Sequence, residues 1–121
     1  MSVEENKALV RRWLRIFEER RLDAVHEVLH PSYGLHGGES TSPWPTLFRS
    51  LEEAKRGWEK AKDESLPFTI TVDDMVAEGD KVALRETWYY EGKPIVNAMV
   101  FYRISEGKII DDWFCKTPLQ E

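Results

Sequence analysis

The sequence predicts an α+β domain in which helices pack against one face of an antiparallel sheet. Helical periodicity occupies the first half of the chain, and alternating apolar residues occupy the part after Pro67. Three short turn sequences separate the alternating segments, as is typical of hairpins joined in a meander. A chain of 121 residues fits one domain, which we predict to span 1–121.

Two helices are predicted before the first proline. Over residues 4–20, apolar residues recur at helical spacing, and Ser2 followed by Glu5 matches a capping box. Residues 22–30 predict a short second helix. We expect it to end before Pro31, because the residue preceding a proline disfavours helical backbone.

A loop and a third helix are predicted next. Residues 31–45 contain three prolines and three glycines and predict a loop, with a brief extended piece at 33–36. Residues 46–62 predict the third helix. Its apolar stripe consists of Leu47, Leu51, Ala54 and Trp58.

Four strands are predicted in the rest of the chain, at 68–72, 82–90, 95–104 and 109–116. In the last strand, alternation places Asp111 on the face of Ile109 and places Asp112 on the opposite face with Phe114. A carboxylate among aromatic rings has a raised pKa, which suits proton transfer near neutral pH. Alternation alone leaves open which aspartate faces the helices.

The second strand offers a candidate positive charge. Arg85 lies on the face of Thr87, opposite the face shared by Val82, Leu84, Glu86 and Trp88. An inward Arg85 would need a carboxylate or an anionic ligand, whereas an outward Arg85 would form cross-strand pairs. In the predicted loop, His36 is a second candidate, because histidine titrates near neutrality.

Composition narrows the classes of partner. The net charge is −5, from 17 basic and 22 acidic residues, and no basic stripe suggests a nucleic-acid surface. The chain has one cysteine, Cys115, and no recognisable spacing of metal ligands or nucleotide-binding glycines. The polar N-terminus lacks an apolar signal region, and no apolar run is long enough to span a membrane. We therefore expect a cytoplasmic protein without metal or cofactor, and no nucleic-acid or membrane partner.

Four segments, at 5–13, 22–29, 77–85 and 101–113, resemble the SnoaL-like polyketide cyclases of the nuclear transport factor 2-like superfamily. The resemblance covers nearly the whole chain. It implies a cone in which a curved antiparallel sheet is wrapped by three N-terminal helices around an apolar pocket, and a homodimer formed through the sheets. Related cyclases, isomerases, epoxide hydrolases and dehydratases use an aspartate or a histidine in that pocket.

The resemblance transfers to particular positions. The cyclases carry an acid directly after the tryptophan of the last strand, where this chain has Phe114. Asp112 is the best substitute, since it shares the face of Phe114, and Asp111 takes its place if the register differs by one residue. Arg85 matches the pocket arginine of the epoxide hydrolases, although their paired acid is Thr87 here. His36 falls where the family places a polar residue at the pocket mouth.

Three functions follow as alternatives. In a cofactor-free cyclase, isomerase or hydrolase acting on a small apolar molecule, Asp112 would transfer protons, His36 would assist, and Arg85 would orient Asp112 or polarise an oxygen. The pocket wall would consist of Tyr33, Trp13, Phe17 and Phe114. A binding protein without chemistry needs only the pocket. An association domain needs Trp88, Phe101 or Trp113 exposed on the outer face of the sheet.

Overall fold

The fold consists of two α-helices, a short 3-10 helix and a six-stranded sheet, seen in a computed structural model that describes residues 1–38, 44–63 and 67–119. The helical elements are α1 (Val3–Glu18), the 3-10 helix (Leu22–Glu27) and α2 (Leu51–Ala61). The strands are β1 (Leu29–Gly38), β2 (Thr46–Phe48), β3 (Thr69–Glu78), β4 (Lys81–Tyr90), β5 (Lys93–Ser105) and β6 (Lys108–Pro118).

The sheet is open and mixed, with the order β2-β1-β6-β5-β4-β3. The predicted meander is confirmed for β3 to β6, which pair antiparallel in chain order. β1 lies second from one edge, where it pairs parallel with β6, and β2 pairs antiparallel with β1 as the edge strand. Helices cover one face of this sheet, so the predicted α+β class is confirmed.

Helix α1 forms as its sequence predicts. The Ser2 hydroxyl accepts a hydrogen bond from the Glu5 amide at 3.0 Å, and the Glu5 carboxylate accepts one from the Ser2 amide at 2.9 Å. This reciprocal capping satisfies backbone donors that lack partners within the helix. Val10 and Trp13 on the apolar stripe are buried against the sheet.

The predicted loop at 31–45 is wrong over its first half. β1 runs through it to Gly38, and the preceding helix ends at Glu27. Pro31 is tolerated because the regular pairing of β1 with β6 is interrupted between Leu29 and Gly34, where no ladder hydrogen bond needs a proline N–H. Residues 39–43 of the predicted loop lie outside the described residues.

The predicted third helix begins later than expected. Residues 46–48 form the edge strand β2, and Ser50 caps α2 by accepting a hydrogen bond from the Glu53 amide at 3.1 Å. Leu47 is therefore 44% exposed rather than part of the buried helix stripe. Of the predicted three helices, two are α-helices and the middle one is a 3-10 helix.

A bulge in β6 sets which side chains face the helices. Arg103 of β5 pairs with Asp111 while the next residue, Ile104, pairs with Ile109, so Ile110 is the extra residue. The bulge puts Ile109 and Asp112 on the inner face together. The prediction that Ile109 shares a face with Asp111 is wrong for this reason.

Within the described residues, no helix is long and apolar enough to cross a membrane. The cytoplasmic location stays a prediction.

Candidate functional site

An aromatic cavity of about 200 Å³ lies between the inner face of the sheet and the two α-helices. Its lining residues come from both helices and from four strands. They are Trp13, Leu14, Phe17, Tyr33, Leu35, Trp58, Glu86, Trp88, Ala98, Val100, Tyr102, Asp112, Phe114 and Lys116. The four side chains predicted to form a pocket wall, Tyr33, Trp13, Phe17 and Phe114, all line this cavity.

The aromatic rings of the cavity pack on one another. The ring centroid of Trp13 lies 5.3 Å from that of Phe17 and 5.5 Å from that of Trp58. Tilted pairs at these distances hold each other in place. The helical spacing of Trp13 and Phe17 puts both rings on one face of α1, where they meet Trp58 of α2. The wall is therefore a fixed apolar surface.

Asp112 is the acid that the bulged β6 strand points into the cavity. It is 5% exposed, and its Oδ2 accepts a hydrogen bond from the Tyr33 hydroxyl at 2.7 Å. No partner among the described residues bonds to its Oδ1. The sequence left open which aspartate faces the helices, and in the structure Asp112 faces the cavity and Asp111 does not.

Burial controls the proton on Asp112. It raises the pKa of Asp112 from 3.8 to about 7, the Tyr33 hydrogen bond lowers it, and the charge of Glu86 raises it further. Burial and the Asp112 charge hold the pKa of Tyr33 far above its usual value. Tyr33 thus remains a hydrogen-bond donor to Asp112 at neutral pH.

Glu86 is a second buried acid that our site prediction missed. It is 3% exposed on β4, and its Oε2 accepts a hydrogen bond from Trp88 Nε1. Burial raises its pKa to about 7, the bond from Trp88 lowers it, and the charge of Asp73 raises it. The signal was present, because strand alternation put Glu86 on the same face as Val82 and Leu84.

His36 lies on the outer face of the sheet, away from the cavity. Its Nε2 is 3.1 Å from Asp111 Oδ1, and its Nδ1 is 3.0 Å from the Thr46 hydroxyl. Its ring stacks on Trp113 with centroids 5.1 Å apart. Arg103 completes the cluster by donating to Asp111 Oδ2 at 2.7 Å. The expectation that His36 assists Asp112 is therefore wrong, because Leu35, and not His36, occupies the inward position of β1.

Arg85 also lies on the outer face. Its guanidinium pairs with Asp74 of β3, with its Nε 2.8 Å from Asp74 Oδ2, and its side chain is 59% exposed. The alternative of an outward arginine in a cross-strand pair is the observed one. The expectation that Arg85 orients Asp112 is wrong.

The outer face carries its own apolar surface. A shallow depression of about 560 Å³ is lined by Met99, Phe101, Trp113 and neighbouring side chains. It is larger than the inner cavity. However, the acid that lines it, Asp74, is exposed and paired with Arg85. The buried unpaired carboxyls make the inner cavity the stronger candidate site.

No metal site is evident among the described residues, since no three His, Cys, Asp or Glu side chains are grouped to hold an ion. The chemistry that the cavity itself offers is proton transfer by carboxyl groups.

Fold and cavity together define a class of protein: a small α+β domain with a ligand-sized cavity between a sheet and its covering helices. The profile of the SnoaL-like domain family matches residues 10–111. The chain therefore belongs to the SnoaL-like family. A search of curated proteins gave no match.

Solved structures show the same fold at low identity. A "putative ketosteroid isomerase" from Kribbella flavida is 16% identical with a TM-score of 0.77, over 98% of this chain and 82% of that one. A "putative polyketide cyclase" from Acidithiobacillus ferrooxidans is 17% identical with a TM-score of 0.76, over 96% and 91%. An NTF2-like protein of unknown function from Mesorhizobium loti is 15% identical with a TM-score of 0.73, over 95% and 93%.

Proposed function

We propose that this protein is a cofactor-free acid–base enzyme in which Asp112 transfers a proton to or from a small, largely apolar molecule bound in the aromatic cavity. The observation that carries the proposal is the state of Asp112. One carboxyl oxygen is fixed by Tyr33, and the other is buried at the cavity without a partner.

The proton affinity of Asp112 supports this role. A general acid or base works best when its pKa lies near the working pH, and burial brings the pKa of Asp112 to about 7. The Tyr33 hydroxyl fixes the orientation of the carboxyl, as proton transfer requires. Ring closure, isomerisation and addition of water all include such a transfer, so the proposal extends to the reaction class and not to one substrate.

The names of similar structures point the same way. Two of them carry the names "putative ketosteroid isomerase" and "putative polyketide cyclase", and both names refer to keto compounds, in which a carbon beside the carbonyl can lose a proton to a base. The likeness shows the fold alone, and the proposal for this chain depends on Asp112.

A neutral probe with an acidic C–H bond tests the proposal without knowledge of the substrate. A base removes the carbon-bound proton of nitrobenzisoxazole, its N–O bond breaks, and a coloured cyanophenolate forms. The proton passes to Asp112 and then to water. We expect the wild-type rate to rise with pH through about 7, as the carboxylate forms. Asp112→Asn should lower the rate at least about a hundredfold.

The neighbouring acid supplies the matched control. Asp111→Asn makes the same chemical change one residue away, on the outer face, and should retain the wild-type rate. Equal rates in wild type and Asp112→Asn would contradict the proposal. A protein that binds the probe without converting it would instead be a binding protein that uses the same cavity.

We also propose that the protein forms a homodimer through the outer face of its sheet. Val76 is 66% exposed, Met99 63% and Phe101 40%, and all three lie on that face. Exposed apolar side chains grouped on one face are typical of association surfaces. Trp88, which we expected among them, instead lines the inner cavity.

A further inference from the structure

Glu86 is a buried acid that has no role in the proposed proton transfer. It reaches the cavity from β4, whereas Asp112 reaches it from β6. Among the described residues, no group bonds to Glu86 Oε1 or to Asp112 Oδ1. Two buried carboxyl oxygens from different strands therefore lie at one cavity with unused capacity to accept hydrogen bonds.

Both carboxyls receive only neutral donors. Trp88 donates an indole N–H to Glu86, and Tyr33 donates a phenol O–H to Asp112. Within the described part of the chain, neither acid has a cationic partner. A buried carboxylate without one is costly, so the missing charge is a feature that a ligand can supply.

The other titratable groups around the cavity do not supply a positive charge to either acid. The neighbours are Tyr33 on β1, Tyr102 on β5, Asp73 on β3 and Lys116 on β6. Lys116 is the one basic residue among the described lining side chains. Its Nζ lies over the Trp88 ring, 5.6 Å from the centroid, rather than on either acid.

The remaining wall also favours positive charge. Trp13, Phe17 and Trp58 contribute aromatic rings to the cavity wall. The face of an aromatic ring carries partial negative charge and attracts cations, most strongly in tryptophan. Lys116 already shows this interaction at the Trp88 ring.

We propose that the cavity binds a small organic ammonium ion, which donates N–H hydrogen bonds to Glu86 and Asp112 and places its apolar part against the aromatic rings. This inference rests on the proposed function, because it assigns a positive charge to the molecule that binds in the same cavity. Binding itself requires no turnover. A volume of about 200 Å³ suits an amine of the size of phenethylamine.

Protons must balance when the cation binds. Near neutral pH the two acids of the empty cavity are partly protonated, because burial raises the pKa of each to about 7. One ammonium ion carries one positive charge and favours the ionised form of one carboxyl, so a proton leaves for the buffer as the complex forms, and the second carboxyl can accept a hydrogen bond while it keeps its proton. Binding should therefore tighten as the pH rises from about 6 to about 8.

Isothermal titration calorimetry with two matched probes tests the inference. Phenethylamine carries the positive charge at neutral pH, and phenethyl alcohol has nearly the same shape without it. We expect the amine to bind at least about tenfold more tightly, as expected for a charge-assisted hydrogen bond. Titrations in phosphate and in Tris, which differ in ionisation enthalpy, should show proton release for the amine and none for the alcohol.

Conservative variants locate the effect. Glu86→Gln and Asp112→Asn should each weaken phenethylamine binding roughly tenfold and leave phenethyl alcohol binding within about threefold. Glu78→Gln, at the exposed end of β3, is the matched control and should bind both probes like wild type. Binding of phenethyl alcohol reports that the cavity of each variant is intact.

Several results would overturn the inference: equal affinity for the two probes, amine binding without proton release, or amine binding unchanged in both variants. The wild-type titrations decide the matter even if a variant does not fold. Nitrobenzisoxazole is neutral, so its turnover tests the proposed function separately. If the protein converts nitrobenzisoxazole but does not prefer phenethylamine to phenethyl alcohol, only this inference is contradicted. If it prefers the amine but does not convert nitrobenzisoxazole, only the enzymatic role is contradicted.

Discussion

At the scale of single residues, the site depends on acids buried without opposite charges. Asp112 and Glu86 are the buried charged residues in the described part of the chain, and the other buried side chains there are mainly apolar. Asp111, one residue away, lies outside with Arg103 and His36 as partners. Neighbouring aspartates thus differ in chemistry because the strand sends them to opposite faces.

The two buried acids predict how stability depends on pH. The pKa of Asp112 rises from 3.8 to about 7, and that of Glu86 from 4.5 to about 7, so the folded state holds more protons than the unfolded state between these values. The free energy of unfolding should therefore fall as pH rises from about 4 to about 7. Urea unfolding at a series of pH values measures this slope.

A neutral side chain at position 112 separates the contribution of Asp112 to the pH dependence of stability from that of Glu86. Asp112→Asn stays neutral, so at pH values above about 7 it should be more stable than wild type, by at most about 4 kcal/mol. Asp111→Asn loses charged partners and should be destabilised. A wild type whose stability is flat or rises between about pH 4 and 7 would contradict the burial of these acids.

Loss of the Tyr33 hydroxyl should lower the stability of the protein, whereas Asp112→Asn should raise it. Tyr33→Phe removes the hydroxyl that stabilises ionised Asp112, so the pKa of Asp112 should rise further. The protein should lose about 1 to 3 kcal/mol of stability, because a buried acceptor loses its donor. NMR titration and urea unfolding measure the two effects, with Tyr90→Phe as the control. An unchanged pKa of Asp112 would show that the hydrogen bond does not form.

At the scale of elements, sequence reasoning succeeded where periodicity was long. Helix α1 and strands β4 to β6 were predicted within a few residues, because their apolar patterns extend over several turns or alternations. β1 was predicted only as a brief extended piece at 33–36, since a strand with a proline and three glycines has no alternating pattern, and pairing with β6 sets its conformation. β2 was assigned to the third helix, because its three residues are too short for a strand pattern and only pairing with β1 defines them. The bulge at Ile110 gave no local signal either, although it decides the face of Ile109.

The packing of α2 against β2 predicts an unusual response to alanine. Gly57 lies inside α2, where alanine normally stabilises a helix by about 1 kcal/mol. A Cβ atom at Gly57 would approach the Phe48 ring to 2.4 Å, so the ring must move. We expect Gly57→Ala to leave the stability of the protein unchanged or to lower it. In a Phe48→Leu background, the same change should raise the stability, because the ring no longer obstructs the Cβ atom. Thermal unfolding distinguishes this from a simple propensity effect, in which both backgrounds would gain equally.

At the scale of the whole molecule, the sheet separates two surfaces of different composition. Its inner face holds the cavity, and its outer face holds the exposed apolar side chains. The sequence predicted the class of fold and one pocket acid, Asp112. It did not place His36 and Arg85, since the side to which each points depends on strand register across the sheet. Glu86 was recognisable only as a polar residue on an otherwise apolar face.

The outer face predicts an association that a single charge should disrupt. Met99→Asp puts a carboxylate among Val76, Phe101 and Trp113, so the dimer should dissociate. Sedimentation equilibrium should give a dimer for wild type and a monomer for Met99→Asp. Lys60→Asp, on the exposed side of α2, should remain dimeric. A monomeric wild type would contradict the dimer without affecting the cavity.

Asp112 exchanges its proton near neutral pH because the cavity buries its carboxyl, and carbon NMR titration of the aspartate carboxyls measures this property. The resonance that disappears in Asp112→Asn assigns the group. We expect a midpoint of about 7 for this carboxyl. A midpoint near 3.8, the ordinary value for aspartate, would contradict both the burial of Asp112 and its proposed role in proton transfer.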